Sequence, residues 1–267
     1  MIREKMVRRS VDGCFEVVMR SNHRQLAYRI MIALPHDSPP REGYPVIYAL
    51  DGDAVFDTFA QAARVQTRKP HGYDPVVMIG IGYPSGQLFD MQRRCYDFTM
   101  PAPAENLPLR PNGSPWPENG GADHFLDFIE RELKPELSRS FPIDHARQTI
   151  FGHSLGGLFV LHALFTRPSG FQYYAAGSPS IWWNGQAILQ EKTIFESAYA
   201  GKRDTPKLLI MVGEDEREHM VNDAKQLAVG LQYSSSIHAE FAMFECEGHV
   251  SVLPAAISRT LKFALSS

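Results

Sequence analysis

Cysteine is scarce in this chain. Its 267 residues include three cysteines, Cys14, Cys95 and Cys246. They are odd in number, far apart and form no C-x-x-C pair, so neither a disulfide framework nor a zinc site is expected. An excess of one charge is also missing: 27 Lys and Arg against 30 Asp and Glu leave a formal net charge of -3. That balance argues against a general nucleic-acid binder or a membrane-surface protein. No apolar run is long enough to span a bilayer, and the charged start Met1-Ile2-Arg3-Glu4-Lys5 has no apolar leader segment behind it. A cytoplasmic location is therefore expected, or a periplasmic one if a leader has been removed. Neither H-E-x-x-H nor a P-loop occurs. Glu216-x-x-His219 has the spacing of half a di-iron site, but no second copy completes it. Neither a metal nor an organic cofactor is expected.

Apolar residues, by contrast, are plentiful. At 44% they suffice for a sizeable core, and without internal repeats or an interdomain linker the whole chain, 1–267, reads as one domain. Two β-rich runs, Phe15 to Arg20 and Leu26 to Leu34, flank the polar turn Ser21-Asn22-His23-Arg24. They predict an antiparallel N-terminal hairpin at a sheet edge. From Tyr44 onward, short apolar runs alternate with amphipathic stretches. Strands are expected at 44–50, 76–81, 148–151, 173–176, 208–212 and 239–244. Helices are expected at 54–68, from an Asp123 cap onward, at 187–199, 221–231 and 253–265. Such alternation predicts an α/β fold with a mostly parallel, doubly wound sheet and helices on both faces. Residues 82–122 interrupt the rhythm with frequent Gly and Pro, and so long a stretch without obvious secondary structure is a candidate lid.

The chemistry centres on Gly152-His153-Ser154-Leu155-Gly156, which follows the apolar Ile150-Phe151 and precedes a helix-like run. Strand, sharp turn at a serine and helix together make a nucleophile elbow, with glycines where side chains would collide with the turn. An activated serine needs a base, and the base needs an acid to orient it. In a parallel sheet such groups sit at the C-terminal ends of strands. Gly213-Glu214-Asp215-Glu216 follows one predicted strand and Glu247-Gly248-His249 the last, which gives the order serine, acid, histidine. His249 is the candidate base, and each of the three loop carboxylates fits the acid. His153 is expected to shape the elbow, and His162 and His219 to be helix or surface residues. An oxyanion hole needs two backbone N–H groups. Leu155 is placed to give one, and Asp53 or Gly52, after the 44–50 strand, the other.

On these residues the chain resembles the putative-esterase branch of the α/β-hydrolases, and within it the siderophore trilactone esterases that open enterobactin, salmochelin or bacillibactin. The likeness runs over nearly the whole chain. It is carried by Leu50-Asp51-Gly52, Arg94-Cys95-Tyr96-Asp97-Phe98-Thr99, Gly120-Gly121, the elbow through Leu161, Ser178-Pro179-Ser180-Ile181-Trp182-Trp183 and Glu247-Gly248-His249. Met100 departs from it, standing where a proline usually follows the threonine. The resemblance implies an α/β-hydrolase fold and a serine esterase with Ser154 as nucleophile and His249 as base. Glu216, three residues after Gly213, is then favoured as the acid, with Asp215 second. Leu155 and Asp53 would hold the oxyanion, Arg94 would reach toward the scissile ester, and Gly52, Trp182 and Trp183 would touch substrate.

The implied partner is a small-molecule ester, namely a ferric catecholate siderophore, with no nucleic acid and no membrane. Its negative charge calls for a local basic rim. Arg93, Arg94, Arg64, Arg68 and Lys69 are expected near the mouth, and the tryptophan pair is expected to stack on catechol rings. The same pattern also serves feruloyl or acetyl esterases, thioester hydrolases and non-catalytic siderophore-binding relatives.

Overall fold

The β-rich N-terminal runs pair antiparallel. In the computed structural model, which describes residues 2–11, 13–110, 113–202 and 205–266, a short helix α1 (Ile2–Lys5) precedes β1 (Val7–Arg8), β2 (Cys14–Arg20) and β3 (Ala27–Ala33). These three strands form an antiparallel edge, and β3 also runs antiparallel to its next neighbour, β5 (Val77–Gly82). The remaining strands are β4 (Tyr44–Leu50), β6 (Ile143–His153), β7 (Tyr173–Gly177), β8 (Lys207–Gly213) and β9 (His238–Phe244). They lie parallel with β5 in the order β1-β2-β3-β5-β4-β6-β7-β8-β9. This is the mixed sheet of an α/β-hydrolase, and every parallel strand points its C-terminal end to the same edge.

Helices cover both faces. On one side, α2 (Gly52–Gln66) and α10 (Leu253–Leu265) press Phe56, Phe59, Ile257 and Leu261 onto Ile47, Phe151 and Met211. The other side carries α3 (Met91–Phe98) and α4 (Ala122–Asp127), which continues through a π-helical turn, Phe128–Leu133, into α5 (Lys134–Ser140). It also carries α6 (Leu155–Thr166), the kinked turn α7 (Trp183–Gln186), α8 (Ile188–Tyr199) and α9 (Glu218–Leu231). Strand β8 shows why its run is continuously apolar: Leu208, Ile210 and Val212 face one core while Leu209 and Met211 face the other. The central helix α6 is buried from Leu155 through Phe165, so it has no polar face to betray its period.

Several elements differ from expectation, among them β6, which begins at Ile143 rather than 148, and α9, which begins at Glu218 rather than 221. The Gly- and Pro-rich stretch contains α3, capped by Asp90, whose side chain accepts from Arg93 N at 3.1 Å. Its inner face carries Arg94 and Asp97 beside Cys95 and Phe98, so charge disguises the buried stripe. Helix α4 starts after Gly121 rather than at an Asp123 cap, and Asp123 instead stands in its first turn.

Candidate active site

The elbow forms where β6 stops and α6 begins. Ser154 sits between them at φ 60 and ψ -116, a conformation rare outside glycine. Its backbone is fixed on both sides: the N–H donates to Gly177 O at 2.9 Å, and the carbonyl accepts from Leu158 N and Ser180 N. Gly152 is required there, since a Cβ would lie 2.2 Å from Gly156 O. Gly156 itself has ordinary room, with its nearest neighbour 3.6 Å away. The collision expected at both glycines is thus a single close approach.

The acid and histidine loops are locked backbone to backbone. Glu214 N donates to Phe244 O at 2.9 Å and Asp215 N to Glu247 O at 3.0 Å. They meet because Gly213 lacks a side chain, as a Cβ would stand 2.2 Å from Glu247 O. Of the three loop carboxylates, Glu216 reaches the imidazole. Its Oε2 accepts from His249 Nδ1 at 2.6 Å, and its Oε1 from Ser178 Oγ at 2.5 Å and Gly213 N at 2.8 Å. The Glu216 side chain is fully buried. Burial pushes its carboxyl up, but the bonds from His249, Ser178 and Gly213 outweigh this and hold it below the ordinary value. With Nδ1 tied to a carboxylate, Nε2 is the free nitrogen of His249.

Ser154 and His249 open onto the same cavity. The Ser154 hydroxyl has Ser180 Oγ as its partner at 3.4 Å rather than the imidazole. Such loose geometry is common before substrate tightens a serine–histidine pair. His153 lies under His249 with ring centroids 4.6 Å apart. Burial, and then the charge its neighbour His249 can carry, lower its value to about 3. It is a neutral support.

The two turns that would supply oxyanion donors are joined by Arg94. Asp51, in the left-handed region at φ 51 and ψ 44, ends β4 and lets α2 begin at Gly52. Leu155 and Asp53 each stand in a first helical turn, where N–H groups lack intrahelical partners. Arg94 donates through Nε to Asp51 at 2.7 Å and through a terminal nitrogen to His153 O at 3.4 Å. The Asp53 side chain pairs with Arg29 and accepts from Tyr83 N at 2.8 Å, so it fastens the turn to the sheet.

Above Ser154 lies a cavity of about 790 Å³. Residues 105–109 and Trp116 of the proline-rich segment wall it, together with Trp182, Ser180 and the start of α9. Several expected substrate residues lie elsewhere. Arg94 is 5% exposed and occupied behind the elbow, because the pairing with Asp51 turns it inward. Gly52 packs its Cα against the Gly80–Ile81 backbone rather than the cavity. Trp183 is fully buried and donates to Met100 O at 3.0 Å, while its neighbour Trp182 faces the cavity. Arg93 lies between Tyr28 and Tyr83, bonded to Asp97 and Ala27 O.

Arg64, Arg68 and Lys69 wall a different depression, with Leu34 and Val76. A helix of 15 residues spans about 22 Å at roughly 1.5 Å per residue, so α2 begins at the catalytic edge and ends at the opposite one. Sequence reasoning missed Trp116, Ser180, Arg217 and His219 on the cavity wall. Arg217 and His219 directly follow the acid loop, so the strand-end rule that located its three carboxylates extends to them. Among the described residues no cluster of three His, Cys, Asp or Glu side chains is arranged to hold a metal ion.

Comparison with known proteins places this geometry in context. The family described as "Putative esterase" matches residues 21–260. Ferri-bacillibactin esterase BesA of Bacillus subtilis (strain 168) is 48% identical over 263 residues, 96% of this chain and 91% of that protein. Siderophore triacetylfusarinine C esterase of Aspergillus fumigatus is 35% identical, covering 90% of this chain and 89% of its own length. The crystal structure of the BES protein from Bacillus cereus superposes with a TM-score of 0.90 at 39% identity, covering 97% of this chain and 98% of that one.

Proposed function

The chain belongs to the esterase family described as "Putative esterase" and is an ester hydrolase, and from that premise we propose that it is a serine-type siderophore esterase that opens the trilactone of a catecholate siderophore. The observation that carries the chemistry is the 2.6 Å bond from His249 Nδ1 to buried Glu216, with Ser154 on the same cavity. The substrate class is supported by relatives whose names are those of siderophore esterases. A cavity of about 790 Å³ walled by Trp116 and Trp182 is in keeping with it.

Each group has a defined task. Ser154 Oγ attacks the ester carbonyl carbon as His249 Nε2 takes its proton. Glu216 keeps Nδ1 protonated and stabilises the imidazolium that forms. The N–H groups of Leu155 and Asp53 receive the oxyanion, each such donor being worth about 3–4 kcal/mol in the transition state. The tetrahedral adduct collapses as His249 returns the proton to the leaving alkoxide, which breaks one ester of the ring and leaves an acyl-serine. Water, deprotonated by His249, then attacks the acyl carbon and restores Ser154. The remaining two esters of the opened trilactone are substrates for further turns. Iron takes no part in these steps and enters only within the substrate.

The test is chromatography of bacillibactin after incubation with the purified protein, beside labelling by a fluorophosphonate. The wild type should linearise the trilactone and take up the label. Ser154→Ala should lose the label and about 10⁶-fold in kcat. Ester cleavage by Ser154→Ala at a rate near that of the wild type, or a folded wild type that resists the label, rejects the serine mechanism. Preference for feruloyl or acetyl esters without trilactone cleavage rejects the substrate.

A further inference from the structure

The arginines flanking the catalytic turns are spoken for. Arg29 pairs with Asp53, Arg93 with Asp97 and Arg94 with Asp51. Arg110 lies over the Trp116 ring and donates to Pro115 O at 3.2 Å. Arg217 differs from all four. It is exposed on the cavity wall, between buried Glu216 and the first residue of α9, and among the described residues no carboxylate pairs with it. An unpaired guanidinium on the wall of a substrate cavity, in a chain of net charge -3, is placed to meet an anion.

The two forms of a catecholate trilactone differ by that charge. Iron-free, its catechol hydroxyls are protonated near neutral pH and the ligand is close to neutral. Iron(III) displaces those protons, and three catecholate dianions around one trivalent ion leave a trianion. Aromatic walls such as Trp116 and Trp182 recognise rings in either form. A fixed cation separates them. We propose that Arg217 is a specificity-determining residue that favours the iron-loaded over the iron-free trilactone, an inference that rests on the siderophore-esterase reading above. The cavity wall supplies its own control: Glu105, on the proline-rich segment, carries the opposite charge and lines the same cavity. Removing each charge should move selectivity in opposite directions. A residue that merely holds the wall in shape has no reason to obey that sign.

The readout is the ratio of kcat/KM for iron-loaded to iron-free bacillibactin. For Arg217→Gln the ratio should fall about tenfold, the scale of one partly screened charge contact. Arg217→Lys should recover most of it, and Glu105→Gln should raise it. Raising the salt concentration should shrink the wild-type ratio and leave that of Arg217→Gln nearly flat. A second readout avoids turnover: in a Ser154→Ala background, quenching of tryptophan fluorescence by iron-loaded bacillibactin should need about tenfold more ligand once Arg217 is Gln. A ratio indifferent to Arg217→Gln, or shifted in the same direction by Arg217→Gln and Glu105→Gln, overturns the proposal while leaving the esterase reading intact. A wild type that cleaves p-nitrophenyl butyrate but neither form of the trilactone removes the substrate reading and this inference together.

Discussion

The floor and the roof of the cavity are built by different means. The floor is made of strand ends: Ser154, Glu216 and His249 are held by backbone bonds such as Ser154 N to Gly177 O and Asp215 N to Glu247 O. Glycines at 152 and 213 admit approaches that no side chain would allow. The roof, residues 101–110 and 113–119 with the Trp182–Gln186 turn, is tied by side chains. Asn106 Nδ2 donates to Asn184 Oδ1 at 2.9 Å, Asn184 Nδ2 to Pro101 O at 3.1 Å, and Trp116 Nε1 to Pro108 O at 2.7 Å. Backbone bonds survive substitution of the residues that make them, whereas side-chain ties are lost with one change. The floor can therefore keep one chemistry while the roof is free to vary its ligand.

The sharpest test of the floor beyond its nucleophile is Glu216→Gln. Without the carboxylate, His249 loses both its tautomer lock and the charge that stabilises its protonated form. The expected fall in kcat is about 10⁴-fold with little change in KM, the scale seen when a triad acid is neutralised. The partial loss should be visible in single-turnover kinetics. A KM effect of comparable size would mean that the acid also shapes the ligand site, and the division between floor and roof would fail.

Next in size is Arg94→Leu. It would leave Asp51 buried without its cation, at a cost of about 3–5 kcal/mol. Burial already pushes the Asp51 carboxyl up, and Arg94 opposes that shift. Urea denaturation of Arg94→Leu should show this loss, and adding Asp51→Asn should restore part of it. If Arg94→Leu kept its stability while KM rose sharply, the arginine would be a ligand contact after all.

How far the sequence could be read follows the same division. Tyr44–Leu50 was legible to the residue because a strand buried on both faces is apolar throughout. The loops of Glu216 and His249 were located because each follows a strand, the buried β8 for one and the half-exposed edge strand β9 for the other. The choice of Glu216 among three loop carboxylates came from the family resemblance. The roof has no period to read. Trp182 and Trp183 are adjacent, yet one faces the cavity and the other the core, since neighbours in a helical turn project about 100° apart. Helix α3 hid because its buried face carries Arg94 and Asp97, whose bonds to Asp51 and Tyr28 reach far away in sequence while Arg93 pairs with Asp97 within the helix. Charge on the outside and charge on the inside look alike until the chain is folded.

For the roof, Trp182→Ala removes an aromatic wall and should raise KM for the trilactone about tenfold, the order of one aromatic contact, while kcat falls less than twofold. Initial rates across substrate concentration separate the two parameters. A kcat loss approaching that of Glu216→Gln would show that the wall also aligns the scissile ester and that roof and floor share the chemistry.

The smallest effect concerns how the roof is footed. His162 on buried α6 donates from Nδ1 to Glu191 of α8 at 2.9 Å, and its Nε2 lies 3.4 Å from Asp123 of α4. Helix α4 follows the proline-rich segment and α8 follows the Trp182–Gln186 turn, so this imidazole pins the ends of both roof segments. Burial pulls its value down, but the two carboxylates outweigh burial and raise it to about 9. A value raised in the folded state means that the charged imidazole adds stability in full below its ordinary value of about 6.5 and loses it as pH climbs through about 9. Because Asp123 is 69% exposed, its share is screened, and about 1–2 kcal/mol is expected in all. His162→Gln should therefore lower Tm by a few degrees at pH 6 and hardly at all at pH 10. A deficit that stays constant with pH would assign the pin to packing, and the roof's footing would then be as indifferent to charge as the floor's.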